Sequence, residues 1–222
     1  HQGRWVDLVE LLENEQFRYV EDGGQRVDAI DCRLASIFVT ELDEPEQGLE
    51  RYGEVLERNP DSEQAIEALE GFANSTDYRL LACEHLERHF STRNDADLAR
   101  IYQLQLGAIV EPGDRLQRYL SLANLQLNAL QQPLEAFDSF SAAFDIEPGY
   151  DGTLDSLETL AVQEGVLERY ADVLERTAAK TDDPHTNADI GRRLGRLYEG
   201  ELRDNGRATH WWCQVSDFDE YD

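Results

Sequence analysis

A chain of 222 residues is long enough to bury a core as one domain or two, and 41% apolar content is too much for a disordered one. Its 47 acidic residues against 20 basic ones leave a net charge of −27, which repels DNA, RNA and anionic membrane surfaces. No apolar run approaches the roughly 18 residues of a membrane-spanning helix.

In chain order, nearly every stretch between punctuation shows helical periodicity. In residues 4–14, Trp5, Leu8, Val9 and Leu12 fall on one face. The other expected helices are 25–42, 45–58, 62–73, 77–90, 96–110, 114–130, 133–146, 151–163, 166–180, 186–203 and 206–214, about twelve in all. For 45–58, Pro45 suits the first turn, Asp43 is the expected N-cap, Glu46 closes a capping box, and Asn59-Pro60 stops the helix. No segment alternates with period two, so the expected fold class is all-α. Short polar links at 21–24, 91–95, 111–114 and 180–185 announce no domain boundary. One domain over 1–215 is therefore expected, followed by an acidic tail at 216–222.

The chain also repeats itself. "DEPEQGLERYGEVLERNP" at 43–60 returns in weaker form as "QQPLEAFDSFSAAFDIEP" at 131–148. At a constant offset of 88, Leu34-Ala35 matches Leu122-Ala123, Gly48 matches Ala136, Tyr52 matches Phe140, Pro60 matches Pro148, and Leu86-Glu87-Arg88 matches Leu174-Glu175-Arg176. A further offset of 72 brings up Leu194-Gly195, Leu202, Ala208 and Trp212. Fixed-period similarity signals stacked helical repeats, because one hairpin cannot bury its own apolar face. The middle block is longer by about one helix, assigned to 96–110 with its stripe Leu98, Ile101, Tyr102 and Ile109.

These residues resemble the tetratricopeptide repeat (TPR) family. Leu34-Ala35 and Phe38 fit the first helix of that repeat, and Gly48, Tyr52 and Pro60 fit the second. Leu122-Ala123, Ala136, Phe140, Ala143 and Pro148 fit a second copy, and Leu194-Gly195, Tyr198, Ala208, Trp212 and Val215 a third. The best-matching stretches are 32–60, 120–148 and 192–215, and the blocks are similar to those of large bacterial multi-repeat proteins. The resemblance implies an α-solenoid of antiparallel hairpins wound as a right-handed superhelix. It also implies a concave face lined by first helices, and a role in protein–protein interaction rather than catalysis.

No phosphate-binding loop, dinucleotide fingerprint or nucleophile elbow is present. His85 and His89, at i and i+4, have metal-ligand spacing, but Glu87 between them does not make HExxH, so a partly exposed helix face is expected and no metal is assigned. Cys32, Cys83 and Cys213 form no framework and are expected to be buried thiols. They fit a reducing compartment such as the cytoplasm. The first residue is not Met, which leaves open a processed secreted or periplasmic form, or a piece of a longer chain. The acidity reads as a solvated surface or as adaptation to high salt.

The binding candidates lie on the expected first helices. Arg192 and Arg196 would face the implied groove and could grip a carboxylate. Gln117, Asn124 and Asn128 offer amides to an extended peptide backbone. The competing expectation pairs the arginines with Glu199, Glu201 and Asp204. The function read from this is an interaction scaffold for a peptide or partner protein, with no cofactor. Its alternatives are a structural spacer or assembly subunit with an empty groove and, more remotely, a metal-dependent enzyme or regulator.

Overall fold

The structure is a computed structural model describing residues 2–19, 24–75 and 77–219. Twelve helices and no strand occur among the described residues: α1 (Gln2–Tyr19), α2 (Gly24–Thr40), α3 (Pro45–Arg58), α4 (Glu63–Ala73), α5 (Arg79–Phe90), α6 (Asp95–Leu106), α7 (Pro112–Asn128), α8 (Pro133–Ile146), α9 (Thr153–Glu164), α10 (Leu167–Ala178), α11 (Pro184–Gly200) and α12 (Asn205–Asp219). The chain divides into two compact units, 1–109 with α1–α6 and 110–222 with α7–α12. Much of the expected 21–24 link, and the last three residues of the expected acidic tail, lie outside the described residues. Residues 216–219 of that tail continue α12.

Within the first unit α2 pairs with α3, α4 with α5, and α6 packs on α5. Within the second, α7 pairs with α8, α9 packs on α8 and α10, and α11 pairs with α12 and packs on α10. The duplication seen in the sequence extends to individual backbone bonds. In the turn after α2, the Leu42 amide donates to the Ile37 carbonyl and the Glu44 amide to the Phe38 carbonyl. After α7 the same bonds run from Leu130 to Leu125 and from Gln132 to Gln126. After α11 they run from Leu202 to Leu197 and from Asp204 to Tyr198. Among the described residues, the non-glycine positions with positive φ are Asp43, Gln131 and Arg203, at +59°, +55° and +55°, one in each turn. Each turn satisfies the carbonyls that a helix end leaves without partners, and each needs one left-handed residue to do so.

That turn corrects one sequence expectation. Asp43 is not the N-cap of α3. The capping position falls to Glu44, which makes no side-chain cap bond, and no capping box forms. The left-handed turn claims Asp43, while Pro45 occupies the first turn as expected.

Small residues set the helix spacing. A Cβ on Gly48 would lie 2.5 Å from Val39 Cγ2 and 2.7 Å from the Ala35 carbonyl oxygen, so α2 and α3 meet at backbone distance. A Cβ on Gly195 would lie 2.6–3.0 Å from three ring atoms of Trp212. The second hairpin puts Ala123 and Ala136 at these two positions, both fully buried, beside the smaller Phe140. Ring size and backbone approach are therefore traded against each other from one copy to the next.

Arginines link the stacked hairpins. Arg88 of α5 reaches Glu57 of α3 at 3.2 Å, and its duplicate Arg176 of α10 reaches Asp145 of α8 at 2.8 Å. Arg193 of α11 pairs with Glu158 of α9, and Arg100 of α6 pairs with Glu70 of α4. Glu70 and Glu158 are duplicates, so α6 stands to α4 as α11 stands to α9. The surplus helix thus occupies the place of a next repeat's first helix.

The outer face of α12 differs from its counterparts. α3 and α8 bury Leu49, Gly53 and Leu56, and Phe137, Ser141 and Phe144 respectively, beneath the following hairpin. The equivalent α12 residues are Thr209, Cys213 and Ser216, all exposed. Cys213 therefore departs from the expectation of a buried thiol, while Cys32 and Cys83 meet it.

Candidate partner-binding face

Gln117, Asn124 and Asn128 form one exposed stripe along α7, since steps of seven and four residues return to the same side of a helix. The stripe is open because the opposite side of α7 carries Leu116, Leu122, Ala123 and Gln126 into the core. Arg192 and Arg196 lie one turn apart on α11, which buries Ala188, Ile190, Gly191, Leu194, Gly195, Leu197 and Tyr198. The two groups belong to separate hairpins of the second unit.

The five side chains are not equally available. Arg192 Nη1 donates to Asp189 Oδ1 at 2.9 Å, and Arg193 between the pair is held by Asp155 and Glu158. Arg196 is exposed, with no ion pair or hydrogen bond among the described residues. Two of the three acids expected to neutralise these arginines are engaged elsewhere. Glu199 accepts from Trp212 Nε1 at 3.3 Å, and Asp204 accepts from the Arg207 amide at 3.0 Å. Asn124 is exposed, but its Nδ2 donates to the Leu120 carbonyl at 2.9 Å, leaving its oxygen toward solvent.

Asn124 and Arg196 are also the same position of the repeat, 72 residues apart. The hairpins thus present different polar groups from one structural place, an amide on α7 and a guanidinium on α11. That arrangement can pair with a backbone amide at one point and a carboxylate at another.

One concavity of the second unit was not foreseen from the sequence. It opens between α10, α11 and α12, has a volume of about 710 Å³, and is lined by Glu175, Asn187, Arg207, His210, Trp211 and Gln214, among others. On its rim Tyr198 Oη donates to Glu175 at 2.9 Å and accepts from Arg207 Nη1 at 2.6 Å. Burial and the bond to Glu175 hold the Tyr198 phenol above its ordinary value.

His85 and His89 correct another expectation. His85 is 5% exposed rather than on an open face, and His89 is half-buried. Among the described residues no group of three or more His, Cys, Asp or Glu is placed to hold a metal ion.

No known family profile matches this chain, and no curated protein matches it. Among solved structures it is similar to the crystal structure of the C-terminal part of a TPR repeat-containing protein from Cytophaga hutchinsonii. That match covers 99% of this chain and 92% of the other, at 13% identity and a TM-score of 0.37. The hairpins repeat one geometry within the chain. The small residue at 48, 136 or 208, the ring at 52, 140 or 212, and the shared left-handed turn recur in register.

Proposed function

We propose that this chain is a non-catalytic interaction scaffold that holds an extended peptide or partner protein against the exposed first-helix face of its hairpins. In this reading Gln117, Asn124 and Asn128 fix the register of a bound backbone, while Arg196, with Arg192 beside it, takes a carboxylate. The observation that carries it is Arg196. It is exposed and without a partner among the described residues, as Arg4, Arg18, Arg33 and Arg203 also are, and of these it stands at the repeat position that Asn124 holds on α7.

The bond from Asn124 to its own helix favours a second reading, a structural spacer whose first-helix face stays empty. Affinity capture separates the two. The chain, Arg196→Glu and Asn124→Ala are immobilised in parallel and the recovered partner is quantified. A scaffold loses most of the partner in Arg196→Glu and part of it in Asn124→Ala. Equal recovery by all three removes the first-helix face as the binding surface.

A further inference from the structure

Hairpins this alike pose a pairing problem. α2 and α7 each run 17 residues and α3 and α8 each run 14, joined by the same left-handed turn. Leu34-Ala35 with Gly48 and Tyr52, and Leu122-Ala123 with Ala136 and Phe140, give them nearly one apolar pattern. Apolar attraction is non-directional, so that pattern alone does not tell α3 from α8 as the partner of α2. Exchange of like elements, within a chain or between two copies, is a characteristic failure of repeat proteins.

The first hairpin carries a polar network that the second lacks. Asp31 of α2 is fully buried, and Asp28, one turn before it, nearly so. Asp31 accepts from Arg58 of α3, from Arg51 of α3 at 3.3 Å and from Gln16 of α1 at 2.8 Å. Asp28 accepts from Arg58 at 3.4 Å and from Asn59 at 3.0 Å. Arg51 also reaches Glu13 of α1, so three helices meet in one network. At an offset of 88, Leu116, Tyr119, Ser139 and Ile146 stand for Asp28, Asp31, Arg51 and Arg58. The second hairpin closes its seam with Ser139 Oγ donating to Gln126 Oε1 at 2.7 Å, both residues buried. At the same two positions the first hairpin sets the Arg51 guanidinium over the Phe38 ring, 5.3 Å from its centre.

The two sets do not mix. α2 against α8 would leave the Asp28 and Asp31 carboxylates facing Ser139 and Ile146, with Glu147 in the place of Asn59. α7 against α3 would set Arg51 and Arg58 against Leu116 and Tyr119. Removing one partner of a buried charge pair is strongly destabilising, whereas replacing the whole set with apolar residues is often neutral. The second hairpin closes without these charges, so the hairpin shape does not require them.

We propose that Asp28, Asp31, Arg51 and Arg58 form a pairing key, which commits α2 to α3 and bars exchange with α7 and α8, whether of the same chain or of a second copy. Glu13 and Gln16 extend the key to α1. The charges select among pairings of equal shape; apolar packing supplies the attraction.

The test gives the full chain the second hairpin's four residues: Asp28→Leu, Asp31→Tyr, Arg51→Ser and Arg58→Ile together. Thermal melting and circular dichroism establish that the variant folds. Amide proton–nitrogen correlation spectra and sedimentation velocity at several concentrations read the pairing. Exchange held down at least about a hundredfold by the key becomes populated to about a tenth or more. A second set of signals for α2 and α3, or dimers that grow with concentration beyond those of the unaltered chain, is the expected result. One set of signals with unchanged sedimentation overturns the proposal. If the variant does not fold, the converse set of Leu116→Asp, Tyr119→Asp, Ser139→Arg and Ile146→Arg makes the two keys alike, and the same multiplicity is expected of it. Failure of both variants to fold also overturns the proposal, since the charges would then hold the hairpin up rather than choose its partner. The network lies in the first unit, so its failure leaves the proposed binding face of the second unit untouched.

Discussion

Consider Gly195→Ala, alone and combined with Trp212→Phe. The added Cβ would sit 2.6 Å from the Trp212 ring, where carbon–carbon contact needs about 3.5–4.0 Å, so α11 and α12 must separate by about 1 Å or the indole must turn. Overpacking of this kind costs about 1–3 kcal/mol. The better helix propensity of alanine returns up to about 1 kcal/mol, leaving a net destabilisation of about 1 kcal/mol. Trp212→Phe gives the third hairpin the ring that the second carries beside Ala123. In that background the new methyl has room, so the two changes should couple favourably by about 1–2 kcal/mol. Urea unfolding followed by circular dichroism on the four proteins of the cycle measures the coupling. Additivity within about 0.5 kcal/mol would refute the claim that ring size and backbone approach compensate between copies.

Three further outcomes are expected. Ala136→Arg places an unpaired guanidinium at a fully buried site and should cost more than about 4 kcal/mol; an unchanged thermal melt would contradict the packing of α7 on α8. Arg203→Gly relieves a left-handed residue worth about 1–2 kcal/mol against a glycine entropy cost of about 0.5–1 kcal/mol, so it should melt higher than Arg203→Ala, and the reverse order would count against the turn. Burial first, and Arg88 second, push the His85 imidazole below its ordinary value of 6.5, with Glu50, Glu84 and Glu57 opposing. The unfolded chain therefore takes up this proton first. Stability should be full above about 6.5 and fall as the pH drops below it, and His85→Val should flatten that acid limb in urea titrations at stepped pH.

The helices bounded by proline were the most legible. Residues 45–58 and 133–146 were read with the bounds that α3 and α8 have, because Pro45 and Pro133 open the first turn and Pro60 and Pro148 lie just beyond the end. Five C-terminal ends, those of α2, α6, α7, α10 and α11, fall short of the expected 42, 110, 130, 180 and 203. Ile109 of the expected 96–110 stripe lies beyond α6, and three of the five ends share one reason. Leu42, Leu130 and Leu202 keep the helical apolar period and so looked like last-turn residues, yet each sits in the left-handed turn. Leu42 and Leu202 nonetheless pack on the cores of their units, which is what preserves the period. α1 and α12 run beyond the expected 4–14 and 206–214 because nothing in "NEQFRY" or "SDFD" breaks a helix, although Phe17 is 83% exposed and gives no periodic signal.

The candidate binding residues were legible as a pattern but not in their pairing. A stripe of amides on α7 follows from spacing alone. That Arg193 is held by α9 while Arg196 is not depends on partners 35 to 38 residues away, which no local pattern shows.

The most direct test of the duplicated-hairpin account is backbone φ at Asp43, Gln131 and Arg203, measured in solution by three-bond amide–α-proton couplings and chemical shifts. The account predicts positive φ at all three positions and an ordinary helical or extended value at their neighbours. A negative φ at any one of them would contradict it.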